Sequence, residues 1–459
     1  MTRYDAIIVG AGQAGPSLAV KLGAAGRKTA IIERHLVGGT CVNTGCTPTK
    51  AMVASAYAAH LARRAGEYGV DLTGPVSVDM AQVSARANAI AARSRGNNET
   101  WLEGADNVTL LRGHARFEGP DRLRVGDEVL TAPQIFLNVG GRAVVPDFPG
   151  VEAIDYLTNS TILQLDHLPE RLIVIGGSYI GLEFAQMFRR FGSEVVVVEK
   201  GARIVAREDP EVSAAIQTIL EEDGVRFRLG AECISFARRG DELAAHVTCE
   251  AGAPDERGTH VLLAVGRRPN TDDLGLEAAG IATDAHGYIV VDDELRTSVA
   301  GVWALGDCNG RGAFTHTSYN DYEIVAANLL DGDTRRLSDR FPVYALYTDP
   351  PLGRVGMSET QARAAGRPYK VAMRPMARVG RAIEKGETKG LMKVIADVET
   401  DAILGAAILG VGGDEAVHGL LYGMQGHVTA DTIRRTTPIH PTVAEFFPTL
   451  MGELKPPAE

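Results

Sequence analysis

Two stretches of the chain follow one plan, and that plan restricts the folds open to it. In the first, Asp5–Val9 runs into Gly10-Ala11-Gly12-Gln13-Ala14-Gly15, a helical stretch Pro16–Ala25, and a strand Lys28–Ile32 closed by Glu33. In the second, Arg171–Ile175 runs into Gly176-Gly177-Ser178-Tyr179-Ile180-Gly181, a helical stretch Leu182–Phe191, and a strand Glu194–Val198 closed by Glu199. A strand that turns on glycine into a helix and returns parallel is the βαβ unit that holds a dinucleotide. Gly10 permits the tight turn, Gly12 lets the backbone approach a pyrophosphate, and Gly15 allows close packing beneath a helix N-terminus that faces the anion. Glu33 is placed to accept from ribose hydroxyls. The second copy carries Ser178 where the middle glycine belongs. Two units imply two dinucleotides, and a flavin with a nicotinamide fits that count.

A third strand, Gly301–Leu305, ends at Gly306-Asp307. Beyond Phe341 the texture changes: strand-like Gly390–Asp397 and Ala402–Leu409 precede helical Ala416–Met424, which reads as an α+β domain entered through a linker at Asp331–Arg336. At roughly 150 residues per domain, 459 residues predict about three domains. The net charge of −11 argues against nucleic-acid or anionic-membrane binding, which want a basic patch. No apolar run approaches the ~20 residues of a membrane span, and the N-terminus lacks a cleavable-signal layout. The expectation is a cytoplasmic protein.

Five cysteines cannot scaffold a chain of this length, so a close pair reads as catalytic or metal-binding. The pair is Cys41 and Cys46, within Gly38-Gly39-Thr40-Cys41-Val42-Asn43-Thr44-Gly45-Cys46-Thr47-Pro48-Thr49-Lys50. On an ideal helix, residues five apart have Cα atoms ~8.7 Å apart, whereas a disulfide needs them within ~7 Å. Either the pair is unbonded or the helix start is distorted there, and Gly45 can supply the distortion. Strained, partly exposed disulfides are the easily reduced, catalytic ones. Zinc wants four ligands, and no second pair at ligand spacing occurs, so no metal site is expected. Near the C-terminus, His440-Pro441-Thr442-Val443-Ala444-Glu445 offers a base that titrates near neutrality, with a carboxylate to set its tautomer.

On these motifs the chain resembles the flavoprotein pyridine-nucleotide disulfide oxidoreductases, the group of dihydrolipoyl dehydrogenase, glutathione reductase and mercuric reductase. The resemblance rests on Gly39-Thr40-Cys41-x4-Cys46-x-Pro48 and on His440-Pro441-Thr442-x-x-Glu445, and it covers nearly the whole chain. It implies an α/β fold of two Rossmann-like dinucleotide-binding domains and a C-terminal α+β dimerisation domain. Residues 1–150 and 273–335 would hold FAD, 151–272 NAD(P)H, and 336–459 would form a homodimer.

The resemblance also implies roles. Cys46 is the thiol that faces the flavin and forms a charge-transfer pair with it, and Cys41 the interchange thiol that attacks substrate. His440 of the partner subunit is the acid-base, oriented by Glu445. Lys50 and Glu183 match an ion pair beside the flavin, and Tyr179 a tyrosine that lids the nicotinamide pocket. FAD is expected at Gly10, Gly12, Gly15, Glu33, Gly39, Thr40, Lys50, Ala115, Gly140, Gly141, Asp307, Phe314 and Thr315. The nicotinamide nucleotide is expected at Gly176, Ile180, Gly181, Glu199 and Gly266. Glu199 favours NADH, because a carboxylate accepts from a 2′-hydroxyl and repels a 2′-phosphate.

The expected activity passes electrons from NAD(P)H through FAD and a Cys41–Cys46 disulfide to a small disulfide or a soft metal ion. The segments Arg207–Pro210 and Pro350–Gly356 look most like the mercuric-reductase branch. The alternative is dihydrolipoyl dehydrogenase, a subunit of a 2-oxoacid dehydrogenase complex. The remaining cysteines, Cys233, Cys249 and Cys308, read as buried hydrophobes. His316 and Tyr319 read as packing that can also shape the flavin's surroundings, and Arg203 and Arg207 as surface charges.

Overall fold

The computed structural model describes residues 1–240, 242–248 and 254–457. The first glycine unit sits in a five-stranded parallel sheet ordered Val302–Ala304, Gln134–Leu137, Ala6–Val9, Thr29–Glu33, Val108–Arg112. Strand Ala6–Val9 is buried on both faces, and its side chains alternate between two cores. Ala6 and Ile8 pack with Leu18 and Leu22 of helix Ala14–Ala24, while Ile7 and Val9 pack with Phe117, Leu123 and Leu130 of an antiparallel sheet. The third strand expected from the sequence therefore joins the first unit's sheet, pairing with Gln134–Leu137, which in turn pairs with Ala6–Val9.

The second unit repeats the arrangement. Its parallel sheet is ordered Tyr156–Leu157, His260–Leu263, Arg171–Ile175, Glu194–Glu199, Arg226–Leu229. Leu172 and Val174 face Phe184 and Phe188 of helix Tyr179–Phe191, and Ile173 and Ile175 face Phe236 and Leu243. A two-stranded pairing of Gly141–Ala143 with Arg267–Pro269 ties the two units together. The C-terminal part is a five-stranded antiparallel sheet, Val343–Leu346, Leu352–Gly356, Ile403–Leu409, Leu391–Asp397 and Tyr369–Pro375 in spatial order, packed by helix Gly413–Gln425. That helix starts three residues before the apolar pattern does. It enters through Gly413, where a Cβ would stand 2.3 Å from the Ile408 carbonyl, a close approach that leaves no apolar signal. Residues 332–336 form the irregular connection expected there.

Among the described residues, no helix is long and apolar enough to cross a membrane. Cys308 is buried as expected, but Cys233 is not a buried hydrophobe. It is exposed in the loop before strand Ser235–Arg239 and is disulfide-bonded. Cys249 lies outside the described residues.

The second unit is bolted to the C-terminal sheet by Lys393. Its buried ammonium lies 2.9 Å from Asp209 and 2.6 Å from Glu359, and it also pairs with Glu211. These three carboxylates converge on the lysine, which supplies the positive charge their cluster needs. Burial raises the Asp209 carboxyl, but hydrogen bonds from Thr360 and Lys393 outweigh it and hold it down to about 2. Its contribution to stability is therefore complete above the unfolded value of about 4 and is lost as pH falls through about 2. Lys393→Ala leaves buried carboxylates uncompensated and is expected to cost about 3–5 kcal/mol in urea denaturation at neutral pH. A loss below 1 kcal/mol refutes the bolt.

Candidate active site

The dithiol exists because one helix is broken. Helix Gly39–Thr44 stops at Gly45, and helix Cys46–Arg63 starts again beyond it. A Cβ on Gly45 would stand 2.8 Å from the Thr40 carbonyl, so only glycine fits the break. The break brings Cys41 against Cys46 despite a spacing that a continuous helix would keep apart. Both are unbonded thiols, so the structure holds the reduced member of the expected redox pair and not the disulfide.

Cys46 opens the long helix, where the helix dipole favours a thiolate. Its Sγ is 3.1 Å from Thr315 Oγ1. Lys50, one turn on, donates to Glu183 at 2.6 Å and lies 4.6 Å from the Tyr347 ring centre. Glu183 also accepts from the Tyr347 N–H at 3.0 Å. The Cys41 thiol donates to Cys46 and lowers it to about 6, against burial and with help from Thr315 and Lys50. The same bond, with burial, pushes Cys41 well above the usual thiol range. One proton is thus shared, with the negative charge on Cys46.

The dithiol opens into a cavity of about 1820 Å³ that also runs past both glycine turns. This is roughly twice the volume of an ordinary small-molecule pocket. Every expected cofactor residue lines it except Gly15 and Gly181, which lie beneath the turns. The two turns match in detail. Gly10 and Gly176 adopt φ of 100° and 114°, and a Cβ on Gly15 or Gly181 would collide with the Gly10 or Gly176 carbonyl. Each turn is clamped by its carboxylate. Glu33 accepts from the N–H groups of Ala11 and His35 at 2.9 and 2.8 Å, and Glu199 from those of Gly177 and Gly201 at 2.6 and 2.7 Å. Ser178 is extended and makes no capping bond to the helix it precedes.

Asp307 lines the cavity, and burial raises its carboxyl against the opposing charge of Arg267, 3.5 Å away. His316 stacks on Phe314, bonds the Val343 carbonyl through Nε2 at 2.7 Å and lines the same cavity. Tyr319 and Arg207 line the same cavity, while Arg203 bonds the Ala206 carbonyl. His440 and Glu445 lie away from the cavity wall of their own chain. His440 Nδ1 is 2.9 Å from Glu445 Oε2, and its ring is 79% exposed.

Sequence reasoning missed Asn138, which accepts from Gly15 N–H at 3.1 Å and donates to the Leu305 carbonyl at 3.0 Å, joining the first turn to the third strand. Its one signal is a polar residue closing an apolar strand before Gly140-Gly141. Tyr344 and Tyr347 were missed as well; nothing local marks them.

Helices broken to expose a dithiol, beside paired dinucleotide turns, define a class, that of the nucleotide-dependent dithiol oxidoreductases. The chain belongs to the pyridine nucleotide-disulphide oxidoreductase family: the family model matches residues 4–321, and its dimerisation domain matches residues 343–451. It is 35% identical to the probable pyridine nucleotide-disulfide oxidoreductase RclA of Escherichia coli K12, over 99% of this chain and 100% of that one. It is 33% identical to a mercuric reductase of Streptomyces lividans (97% and 94%), and 34% to a dihydrolipoyl dehydrogenase of Thermus scotoductus (97% and 96%). Among solved structures it is similar to the Cu(II) complex of the HOCl-induced flavoprotein disulfide reductase RclA from Escherichia coli, with a TM-score of 0.90 and 34% identity over 98% of this chain and 99% of that one.

The shared proton gives a direct test. Iodoacetamide alkylation of the reduced protein should rise with a midpoint near pH 6 and should modify Cys46 first. In Thr315→Ala the midpoint should move upward, because one of the groups that lower Cys46 is gone. A wild-type midpoint above 8 excludes the thiolate.

Proposed function

We propose that the protein passes two electrons from NADH through FAD to Cys41 and Cys46, and from them to a small disulfide or a soft metal ion. The observation that carries this reading is the Cys41–Cys46 pair, placed by the helix break beside Thr315 and Lys50 in the cavity that both glycine turns share. The bound flavin would accept hydride from the nucleotide and reduce the cysteine pair. The cavity's size, the twin turns, and Asp307 suit FAD on the first turn and the nicotinamide nucleotide on the second. In net form, NADH, a proton and a disulfide yield NAD⁺ and two thiols.

Within that scheme the chain's own groups divide the work. Cys41 would attack the substrate disulfide, releasing one thiol and leaving a mixed disulfide that Cys46 resolves. Because Cys41 is held un-ionised, its attack needs a base. His440, with Nδ1 engaged by Glu445 and its ring exposed, offers Nε2 for that purpose. Its position off this chain's cavity favours service to the dithiol of the partner in a homodimer. Lys50 and Glu183 would set the charge beside the flavin. A mercuric-reductase-like acceptor is preferred, with dihydrolipoamide oxidation as the alternative. Turnover against lipoamide, glutathione disulfide, Hg(II) and Cu(II) separates these, and failure with all of them removes the proposed activity.

Glu199 supports NADH over NADPH by about 2–3 kcal/mol, roughly 30–150-fold in kcat/KM. A higher kcat/KM with NADPH refutes that preference. Sharing of the site is tested by mixing two inactive variants, Cys46→Ser and His440→Ala, unfolded and refolded together. Random pairing makes about half the dimers mixed, each with one intact site of two, so activity should recover to roughly a quarter of wild type. No recovery despite verified subunit exchange places the base on its own chain.

A further inference from the structure

Two histidines outside the cavity meet nitrogen to nitrogen. His167 lies in the loop before strand Arg171–Ile175, and His260 opens strand His260–Leu263, 93 residues further along the chain. The two strands are parallel neighbours, so both rings stand at the edge of the sheet where its strands begin. Gly176 follows Ile175 at the other edge, beyond a strand of five residues, or ~16 Å at ~3.3 Å per residue. Neither histidine belongs to the cavity wall. Their Nε2 atoms are 3.4 Å apart, while the ring centres are 5.3 Å apart and the planes tilted by 51°.

What each Nδ1 does decides what Nε2 can offer. His167 Nδ1 is 3.0 Å from Asp166 Oδ1, and a carboxylate only accepts, so the ring donates from Nδ1. His260 Nδ1 is 3.0 Å from Thr259 Oγ1. The Thr259 hydroxyl donates to the Arg171 carbonyl at 3.0 Å and accepts from the Arg171 N–H at 3.2 Å. With its one hydrogen engaged, that oxygen can only accept from His260, which puts the proton on Nδ1 there too. Both neutral rings thus turn an Nε2 lone pair toward the other, and no hydrogen fills the contact. A proton could fill it by charging one ring. A divalent ion fills it with both rings neutral, and the spacing suits one. At Zn–N distances of ~2.0–2.1 Å, two corners of a tetrahedron lie ~3.3–3.4 Å apart. An Nδ1–H held by a carboxylate or another oxygen is also the arrangement that orients metal-bound histidines. The His167 side chain is 60% exposed, so water reaches the remaining coordination positions.

We propose that His167 and His260 form an exchangeable two-histidine site for a divalent metal ion that imidazole favours, such as Zn(II), with Nε2 of each ring as ligand and water completing the shell. Asp166 and Thr259 are positioning residues that set the two tautomers. The ion staples the loop before Arg171 to the neighbouring strand, at the edge of the sheet opposite the second glycine turn. It is distinct from any metal ion that the dithiol reduces, and it does not depend on which acceptor the dithiol serves.

The test uses the full-length, FAD-loaded protein carrying Cys41→Ser and Cys46→Ser, so that thiols do not compete, titrated with Zn(II) at neutral pH and read by calorimetry. His167→Ala and His260→Ala should each weaken Zn(II) binding by about 10-fold or more. Both together should weaken it by less than the product of the two, because the rings serve one ion. Asp166→Ala removes an outer partner and should weaken it by about 10-fold. Cu(II) added to the same protein should show, by electron paramagnetic resonance, splitting from two imidazole nitrogens. Protein that binds no Zn(II) leaves the contact to a shared proton and overturns the site. Binding that His167→Ala leaves unchanged overturns it too, as does a Cu(II) spectrum unaltered in that variant. Because His167 is exposed in a loop, His167→Ala decides alone if His260→Ala fails to fold.

Discussion

Everything reactive in this molecule depends on the interruption of one helix at Gly45. Had residues 39–63 formed a continuous helix, Cys41 and Cys46 would face different directions and neither could share a proton with the other. The break lets a short turn carry Cys41 while Cys46 takes the first position of a new helix. That position matters electrostatically, because the free N–H groups of the first turn stabilise an anion. A backbone event at one glycine thus sets both the contact between the sulfurs and the charge difference between them. Thr315 and Lys50 refine that difference, but they act on a pair the backbone has already made.

The twin glycine turns solve a related problem of placement. A dinucleotide needs backbone N–H groups aimed at it, and aimed groups need a fixed loop. Here each turn is held from below by its third glycine packed on the first glycine's carbonyl, and from the side by a carboxylate on the next strand. The clamp explains why the acidic residue can serve two ends. Each oxygen of Glu33 and Glu199 takes one backbone donor, and a second lone pair on each stays free to accept another.

Most of this was legible because the determinants are local. A positive φ selects glycine at Gly10 and Gly176, a five-residue spacing joins His440 to Glu445, and alternate burial follows from short apolar strands. The rest depends on contacts between distant segments. Asn138 reaches Gly15 across 123 residues, and Tyr344 reaches Glu208 across 136. No periodicity reports such pairings, so their chemistry stays hidden until the fold assembles them. The thiol state of the Cys41–Cys46 pair and the bonded state of Cys233 are different again: they are chemical states, and spacing in the chain constrains them only loosely.

The buried charges show where the fold needs direction more than cohesion. The sheets here are mostly apolar inside, yet the seams between units are laced with ion pairs. Lys50 meets Glu183 between the dithiol helix and the second unit. Arg190, held by Asp223 of its own unit at 2.8 Å, meets Asp349 at 2.6 Å, and Lys393 meets Asp209 and Glu359 between the second unit and the C-terminal sheet. A buried pair contributes little net stability over well-packed hydrophobes, because desolvation offsets most of the attraction. What it adds is geometry, since charge-assisted bonds tolerate little displacement. A cavity walled by the glycine turn of one unit and by the dithiol of another needs that registration. Apolar seams would let the units slide by the width of a side chain and still remain buried, whereas a displaced ion pair leaves a charge unpaired and is penalised at once.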